Sequence, residues 1–266
     1  MHAHTLAEAP PPLLVGRDRE LATLHSHLTV TLLGHGSLVL IGGEAGVGKT
    51  ALAEALCGEA TGSGATILIG QCYDLTETPP YGPWIELFER YRTEGGIIPL
   101  PIAFSDDWSG HVSASQIGLF KQVYTSLLAL STQQPVVLLL EDLHWADPAS
   151  LDVLRFLARQ VADVPLCILA TYRSDALTPR HPLYRLLPLL VREAHGARLD
   201  LRPLTERDLE TLVAMRFRLD TGDTQRLLAY LHARTQGNPF FFEEICVRSR
   251  RTACCSRPMK AGGLVI

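Results

Sequence analysis

An eight-residue stretch, Gly43-Glu44-Ala45-Gly46-Val47-Gly48-Lys49-Thr50, has the residue types and spacing needed to hold a phosphate group. It satisfies the pattern G-x-x-x-x-G-K-[ST] at every fixed position. Its glycines let the backbone curl so that successive N–H groups point at an anion. Lys49 is one of three lysines in a chain that otherwise uses arginine, and its compact charge reaches between phosphates better than a planar guanidinium does. Thr50 offers a hydroxyl ligand for Mg²⁺.

The flanking sequence places this loop in the context that the chemistry requires. Residues 37–42 are a short apolar run ending in glycine, which is typical of a buried parallel strand. Residues 50–57 follow with strong helix formers and apolar side chains at helical spacing. The helix N-terminus adds a partial positive charge to the phosphate site. The sequence therefore predicts a nucleotide-binding loop.

Two adjacent carboxylates, Glu141 and Asp142, follow the most apolar run of the chain, residues 136–140. In open parallel sheets, ligands bind at the carboxyl ends of the strands. Successive side chains of a strand point to opposite sides, so we expect one carboxylate to lean toward a metal ion and the other toward a water. We assign Glu141 to the metal side, together with Thr50, and Asp142 to polarising the attacking water.

Two arginines are candidates for phosphate contact. Arg173 follows another apolar run, residues 166–171, where a fixed guanidinium would meet a γ-phosphate and report its presence. A surface arginine after a strand is the alternative interpretation. Arg17, in the segment Leu14-Val15-Gly16-Arg17, is a second candidate with less support from spacing.

Alternating strands and helices predict a parallel, doubly wound sheet, followed from residue 205 by helices only. The predicted strands are residues 37–42, 65–71, 136–140, 166–171 and 197–201. The predicted helices are residues 18–33, 50–57, 84–91 and 115–130, one from Asp147-Pro148, one from Thr205 and one over 224–235. Residues 93–113 are predicted to form a long loop. The expected organisation is a flexible leader (1–12), a nucleotide-binding domain (13–203), a helical lid (204–247) and a disordered basic tail (248–266).

Composition limits the classes of function. The chain has 266 residues, 47% of them hydrophobic, and a net charge of −4, which does not favour a nucleic-acid-coating surface. No segment approaches the ~18 consecutive apolar residues of a membrane span, and the first twelve residues do not resemble a signal peptide. The six cysteines lack metal-ligand spacing. We expect a reduced, cytoplasmic protein without a membrane or nucleic-acid partner.

Several motifs, taken in order, resemble the ATPase module of the signal-transduction ATPases with numerous domains (STAND), as in large LuxR-family transcriptional regulators. They are Val15-Gly16-Arg17 with Glu20, the phosphate loop, Pro80-Tyr81-Gly82-Pro83-Trp84, Leu140-Glu141-Asp142-Leu143-His144-Trp145-Ala146-Asp147, Ala170-Thr171-Tyr172-Arg173 and Gly237-Asn238-Pro239-Phe240. The resemblance implies a P-loop NTPase fold of the AAA type that binds ATP with Mg²⁺. It implies that Val15, Gly16 and Pro239 border the adenine and that Arg173 senses the γ-phosphate. Self-association or contact with protein partners also fits it.

The chain departs from that family at two points. The metal-side acid of the family is commonly Asp, whereas Glu141 is longer by one methylene, which affects Mg²⁺ placement and the hydrolysis rate. The family continues after the lid into further domains, whereas residues 248–266 suggest an unstructured end and a truncated copy.

Three functions are consistent with these observations. The first is an ATP-binding regulatory switch with slow hydrolysis. The second is a truncated regulator fragment that binds ATP without turning it over. The third is a small-molecule kinase with the same loop, although no acceptor-binding cluster is evident. Guanine specificity is not expected, because no [NT]-K-x-D stretch occurs.

Overall fold

A computed structural model describes residues 14–74, 79–96, 101, 104 and 116–246. The leader, the basic tail and most of the long loop predicted over 93–113 lie outside these residues. Five strands form one sheet in the order β2-β3-β4-β1-β5. They are β1 (Ser37–Gly43), β2 (Thr66–Gln71), β3 (Val136–Glu141), β4 (Leu166–Arg173) and β5 (Ala197–Leu201). All four pairings are parallel, so the expected parallel sheet is confirmed.

The apolar runs of the sequence form the strands at the centre of the sheet. Every residue of β1 is buried, as are all residues of β3 except Glu141. Alternate residues of β1 serve opposite faces, since Leu38 and Leu40 belong to one hydrophobic cluster and Val39 and Ile41 to the other. Strand β5 lies at the sheet edge and is only partly covered, which is why its exposed and half-buried residues alternate.

Six helices cover the two faces of the sheet. They are α1 (Asp18–Leu32), α2 (Lys49–Gly62), α3 (Gly82–Thr93), α4 (Gln116–Ser131), α5 (Pro148–Ala158) and α6 (Pro182–Glu193). Helices α1 and α2 pack on the cluster that contains Val39, whereas buried residues of α3 to α6 belong to the cluster that contains Leu38. Asp147 caps α5 by accepting a hydrogen bond from the Ser150 backbone, with Pro148 at the first helical position, as the sequence predicts.

Helix α6 has no counterpart among the sequence-based predictions. Two prolines, Pro182 and Pro188, argue against a helix over this stretch, but Pro182 occupies the first turn, where a missing N–H costs nothing. Pro188 lies on the exposed face, where the carbonyl that it leaves unpaired has access to water. The opposite face buries Leu183, Leu186, Leu187 and Leu190, whose helical spacing is the signal that identifies the helix.

The described residues after the sheet, 204–246, are helical and are called the lid below. They contain α7 (Glu206–Arg216), α8 (Thr221–Thr235) and a last helical segment, residues 239–246. Thr205 and Asp208 form a capping box at the start of α7. The lid has its own hydrophobic cluster, which includes Leu209, Leu231 and Phe242. Within the described ranges, no helix has both the length and the apolar character for a membrane crossing.

Candidate functional site

The phosphate loop joins the end of β1 to the start of α2, so the helix N-terminus points into the site. Gly48 precedes the helix with φ 98°, a left-handed conformation that glycine adopts at little cost. Lys49 is 7% exposed, and its Nζ donates to the carbonyl oxygens of Gly43 (3.0 Å) and Glu44 (2.7 Å). Burial lowers the pKa of Lys49, and the nearby Asp142 carboxylate opposes that shift. The ammonium group is thus held beside the first two residues of the phosphate loop.

Glu141 ends β3 beside the first turn of α2. Burial raises the pKa of the Glu141 carboxyl group, and the nearby Thr50 hydroxyl opposes that shift. A hydroxyl and a carboxylate side by side are hard oxygen donors of the kind that Mg²⁺ prefers. The residues present therefore fit a magnesium ion, with Thr50 and Glu141 as the groups that would hold it.

Asp142 does not continue the strand. Its φ of 55° places it in the left-handed region, which a short polar side chain tolerates better than most. Its backbone N–H donates to Oγ1 of Thr171 on the neighbouring strand, at 3.0 Å. The expectation of simple strand alternation for Glu141 and Asp142 is therefore wrong at Asp142. The two carboxylates diverge because the chain turns, and Asp142 lines the same cavity as Lys49.

Arg173 ends β4 directly opposite Gly43, the first residue of the phosphate loop, in the pairing of β4 with β1. This register brings Arg173 to the loop, and its side chain lines the same cavity as Asp142. The guanidinium is paired with Asp175, with Nη2 2.7 Å from Oδ2. That hydrogen bond raises the pKa of Arg173 and lowers the pKa of Asp175.

The buried His144 lies between Asp142 and Arg173 and contacts both. Its Nδ1 accepts a hydrogen bond from the Arg173 backbone N–H at 3.3 Å and lies 3.8 Å from Oδ1 of Asp142. Burial lowers the pKa of His144, which favours the neutral ring with its proton on Nε2. Nε2 is buried and has no partner among the described residues. His181, at the start of α6, donates from Nε2 to the His144 carbonyl oxygen at 3.0 Å and so fixes this turn.

A cavity of about 830 Å³ lies between the phosphate loop and the lid. This volume is within the range of ligand pockets. The sheet domain and the chain before α1 contribute Leu14, Val15, Arg17, Ala45, Gly46, Val47, Gly48, Lys49, Thr50, Ala51, Asp142 and Arg173, and the lid contributes Leu204, Leu212, Arg216, Pro239, Phe240, Phe242 and Glu243. The structure thus brings Val15 and Arg17 together with Arg173 and Pro239 around the loop, although these three segments are far apart in the sequence.

Three of the expected nucleotide-binding residues, Gly16, Gly43 and Glu44, do not line this cavity, and neither does the expected metal ligand Glu141. Arg17 lines it, but its guanidinium is engaged elsewhere. Gly16 lines a separate groove beside β5, and a Cβ on it would lie 2.4 Å from Cγ of Asp208. Arg17 is 5% exposed, and its Nη2 donates to the carbonyl oxygens of Val47 (2.9 Å) and Arg202 (2.8 Å). Burial lowers the pKa of Arg17, against the influence of Glu20. Arg17 therefore ties the phosphate loop to the segment that leads into the lid.

Sequence reasoning missed the contribution of the lid beyond Pro239. Arg216 and Glu243 form a two-point ion pair at the cavity wall, and Arg216 also lies 5.8 Å from the centre of the Phe242 ring. Asn238 contacts the phosphate loop directly, from a motif that the sequence singles out without giving this residue a role. Helical spacing is the only sequence signal for the remaining lid residues of the wall.

The sequence and the fold both resemble those of known proteins. Residues 13–169, more than half of the chain, match the family described as AAA ATPase domain. Uncharacterized protein R02095 of Rhizobium meliloti (strain 1021) is 26% identical over 270 residues, which cover 88% of this chain and 25% of that protein. The chain therefore spans about a quarter of the length of this curated relative.

Solved structures show the same fold at low sequence identity. The Walker-type ATPase PABY2304 of Pyrococcus abyssi superposes with a TM-score of 0.59 at 13% identity, covering 90% of this chain and 69% of that one. The STAND protein PH0952 of Pyrococcus horikoshii, which has a tetratricopeptide repeat sensor, superposes with a TM-score of 0.53 at 18% identity. The match covers 88% of this chain and 30% of PH0952.

Proposed function

Because the chain belongs to the AAA ATPase domain family, we propose that it binds ATP with Mg²⁺ at the phosphate loop, hydrolyses it slowly and acts as a nucleotide-controlled switch. The observation that carries this proposal is the convergence of Lys49, Asp142 and Arg173 on one cavity of about 830 Å³. These residues supply a cation for the phosphates, a carboxylate for the water and a second cation at the end of β4, the strand beside β1.

The chemistry assigned to each side chain follows from its position. The loop N–H groups and Lys49 hold the phosphates. Asp142 orients a water and takes its proton as the water oxygen attacks the γ-phosphorus and the bond to the bridging oxygen of ADP breaks. Arg173 balances negative charge on the γ-phosphate. Thr50 and Glu141 would hold a magnesium ion, which would supply positive charge to balance the phosphates.

Two features support slow turnover. Burial raises the pKa of Glu141, and its side chain is one methylene longer than the aspartate common in STAND ATPases, so the magnesium ligand is not an optimal one. Arg173 is also engaged by Asp175, so that carboxylate competes with a phosphate for the guanidinium. Slow hydrolysis gives the ATP-bound state a long lifetime, which is the property that a switch requires.

The switch role rests on the resemblance to STAND regulators and on the lid that forms one wall of the cavity. A nucleotide that contacts both loop and lid favours the lid position in which both contacts are made. In this proposal, the presence of the γ-phosphate at Arg173 sets the lid position, and the lid presents a different surface to its partner in each state.

The decisive experiment separates a hydrolase from a kinase. Purified protein is incubated with Mg²⁺ and γ-labelled ATP, alone and with a panel of small metabolites, and the fate of the label is followed over several hours. We expect inorganic phosphate equal to the ADP formed, at a rate that the metabolites do not change. Label transferred to a metabolite would contradict the proposal in favour of a kinase, and bound but intact ATP would favour a non-hydrolysing fragment.

A further inference from the structure

The lid touches the phosphate loop directly, through the turn between α8 and the last helical segment. Nδ2 of Asn238 donates to the Ala45 carbonyl oxygen at 2.9 Å. The Phe240 backbone N–H donates to the Gly46 carbonyl oxygen at 3.2 Å. A Cβ on Gly46 would lie 2.7 Å from Cβ of Phe240, so only a glycine lets the two backbones approach this closely. We call these contacts the clasp.

Asn238 uses both ends of its amide group. Its Oδ1 accepts from the Phe240 N–H at 3.1 Å and so caps the last helical segment, while Nδ2 reaches the loop. The reverse orientation of the amide would place an acceptor against a carbonyl oxygen and a donor against an N–H, so the network fixes it. The Asn238 side chain therefore caps the last helical segment and contacts the phosphate loop at the same time.

The turn that carries Asn238 is itself fixed within the lid. The Leu204 backbone N–H donates to the Gly237 carbonyl oxygen at 2.8 Å, and the Gly237 N–H donates to Oγ1 of Thr235 at 3.2 Å. A Cβ on Gly237 would lie 2.2 Å from the Leu204 carbonyl oxygen, which shows how closely the start and the end of the lid pack. A displacement of the phosphate loop would therefore also displace the turn that carries Asn238, because the lid holds that turn in place.

The clasp acts on the side of the loop that does not meet phosphate. In a phosphate loop the N–H groups face the ligand, whereas here the lid holds the carbonyl groups of Ala45 and Gly46. The residues that follow Asn238, including Pro239, Phe240 and Phe242, form a wall of the cavity. We infer that Asn238 is a positioning residue that fastens the lid to the phosphate loop and so preorganises the nucleotide cavity. This inference rests on the proposed nucleotide binding.

The clasp contacts the part of the loop that holds the α- and β-phosphates, which ATP and ADP share. Loss of the clasp is therefore expected to reduce the affinities for ATP and ADP by the same factor. Loss of a γ-phosphate contact would instead reduce the affinity for ATP alone. Both hydrogen bonds lie near the surface, so each contributes modestly. Removing the Asn238 donor is expected to reduce both affinities about fivefold, which corresponds to one hydrogen bond of about 1 kcal/mol.

Asn238→Asp isolates the clasp from the helix cap. The carboxylate keeps an acceptor for the Phe240 N–H but sets a second oxygen, instead of a donor, against the Ala45 carbonyl oxygen. ATP and ADP affinities are measured by calorimetry, and backbone hydrogen exchange is measured in the nucleotide-free full chain. We expect equal losses of ATP and ADP affinity and faster exchange over residues 239–246, with β1 and β3 unchanged. The matched control is Gln225→Glu, at an exposed position of α8 outside the cavity lining, which adds the same negative charge away from the clasp and should change neither quantity.

Three results would overturn the inference: unchanged affinity, a loss confined to ATP, or faster exchange in β1 and β3 together with the lid. The last result would show that Asn238 serves general stability. If the wild-type chain binds neither nucleotide, the proposed function fails, and the exchange comparison alone decides whether the clasp exists. Faster exchange confined to 239–246 then supports the clasp, and unchanged exchange there refutes it.

Discussion

The carboxylate of Asp175 holds the guanidinium of Arg173 in a two-point contact, with Nη2 2.7 Å from Oδ2 and Nε 3.4 Å from Oδ1. Both side chains are partly exposed, so the pair can open without burying an unpaired charge. Arg173 also lines the cavity, where a nucleotide phosphate would offer the guanidinium an alternative partner. We therefore expect a γ-phosphate and the Asp175 carboxylate to compete for this guanidinium.

Replacing Arg173 with alanine should reduce affinity for a non-hydrolysable ATP analogue about tenfold and leave ADP affinity nearly unchanged. The reason is that a hydrogen bond to a charged group contributes roughly 1.5–3 kcal/mol, less the cost of separating Arg173 from Asp175. Paired calorimetric titrations measure both ligands. The exposed Arg180→Ala is the matched control. Equal weakening of both nucleotides would show that Arg173 does not read the γ-phosphate.

Asp175→Asn should have the opposite effect and raise affinity for the ATP analogue about two- to fivefold, because the competing carboxylate is gone. ADP affinity should stay the same. The gain should largely disappear in the double variant Arg173→Ala/Asp175→Asn, because the hydrogen-bonded contact of Asp175 is with Arg173 and its influence on Lys49 is weaker. A gain that persists without Arg173 would mean that Asp175 acts on the phosphates directly through its charge.

Asp142→Asn should retain ATP affinity and lose hydrolysis by about 10²–10⁴-fold, the usual contribution of a general base. The amide keeps the shape of the side chain, but it does not accept a proton from water. Single-turnover phosphate release and calorimetry on the same samples separate the two effects. Asp163→Asn, at an exposed position, is the control. If affinity and turnover fall together in a folded protein, Asp142 is a metal ligand or a structural group instead.

Glu193, the last residue of α6, forms ion pairs with Arg155 of α5 and with Arg159, which caps the end of α5. Its hydrogen bonds to the two arginines, that to Arg159 above all, lower the pKa of the carboxyl group from 4.5 to about 2. A lowered folded-state pKa stabilises the fold at neutral pH, and this contribution is lost as the pH falls from about 4.5 toward about 2.

Glu193→Gln should therefore lower the melting temperature at pH 7 by about 2 °C, because partly exposed ion pairs are screened and contribute little. The difference from wild type should shrink to nothing near pH 2. The difference in melting temperature is measured by circular dichroism at several pH values between 7 and about 2. The exposed Glu89→Gln is the control. A difference that stays constant down to pH 2 would show that packing, and not charge, is responsible.

Much of the sheet was accessible from the sequence, because its signals are local. The run Val136–Glu141 is apolar enough to require cover on both faces, and the phosphate loop fixes a strand before it and a helix after it. Helix α6 was missed because a proline within a helical pattern counts as a helix breaker, although Pro188 is placed on the solvent side. Helix boundaries otherwise differ by a few residues.

Several residues that line the cavity are predicted from the sequence, but their arrangement is not. The strand order that sets Arg173 opposite Gly43 depends on which strands pair, and no local pattern encodes that. The hydrogen bond from Asn238 to Ala45 joins residues 193 positions apart, so it depends on where the lid packs. The left-handed turn at Asp142 is stabilised by Thr171 from another strand, which is also a tertiary contact.

Lys49 and its loop are expected to bind the phosphates of ATP. In this structure the Lys49 ammonium donates to the carbonyl oxygens of Gly43 and Glu44, so it is already positioned at the loop. Lys49→Ala removes a charged partner worth about 1.5–3 kcal/mol, which corresponds to roughly a ten- to hundredfold loss of affinity. Lys121→Ala, at an exposed lysine of α4, controls for the loss of one positive charge.

The measurement is an isothermal titration of Mg²⁺ and ATP into wild type, Lys49→Ala and Lys121→Ala at the same salt concentration. We expect wild type and Lys121→Ala to bind with equal affinity and Lys49→Ala to bind ten- to hundredfold more weakly. Unchanged ATP affinity in a folded Lys49→Ala protein would contradict the assignment of the phosphate loop and, with it, the proposed function.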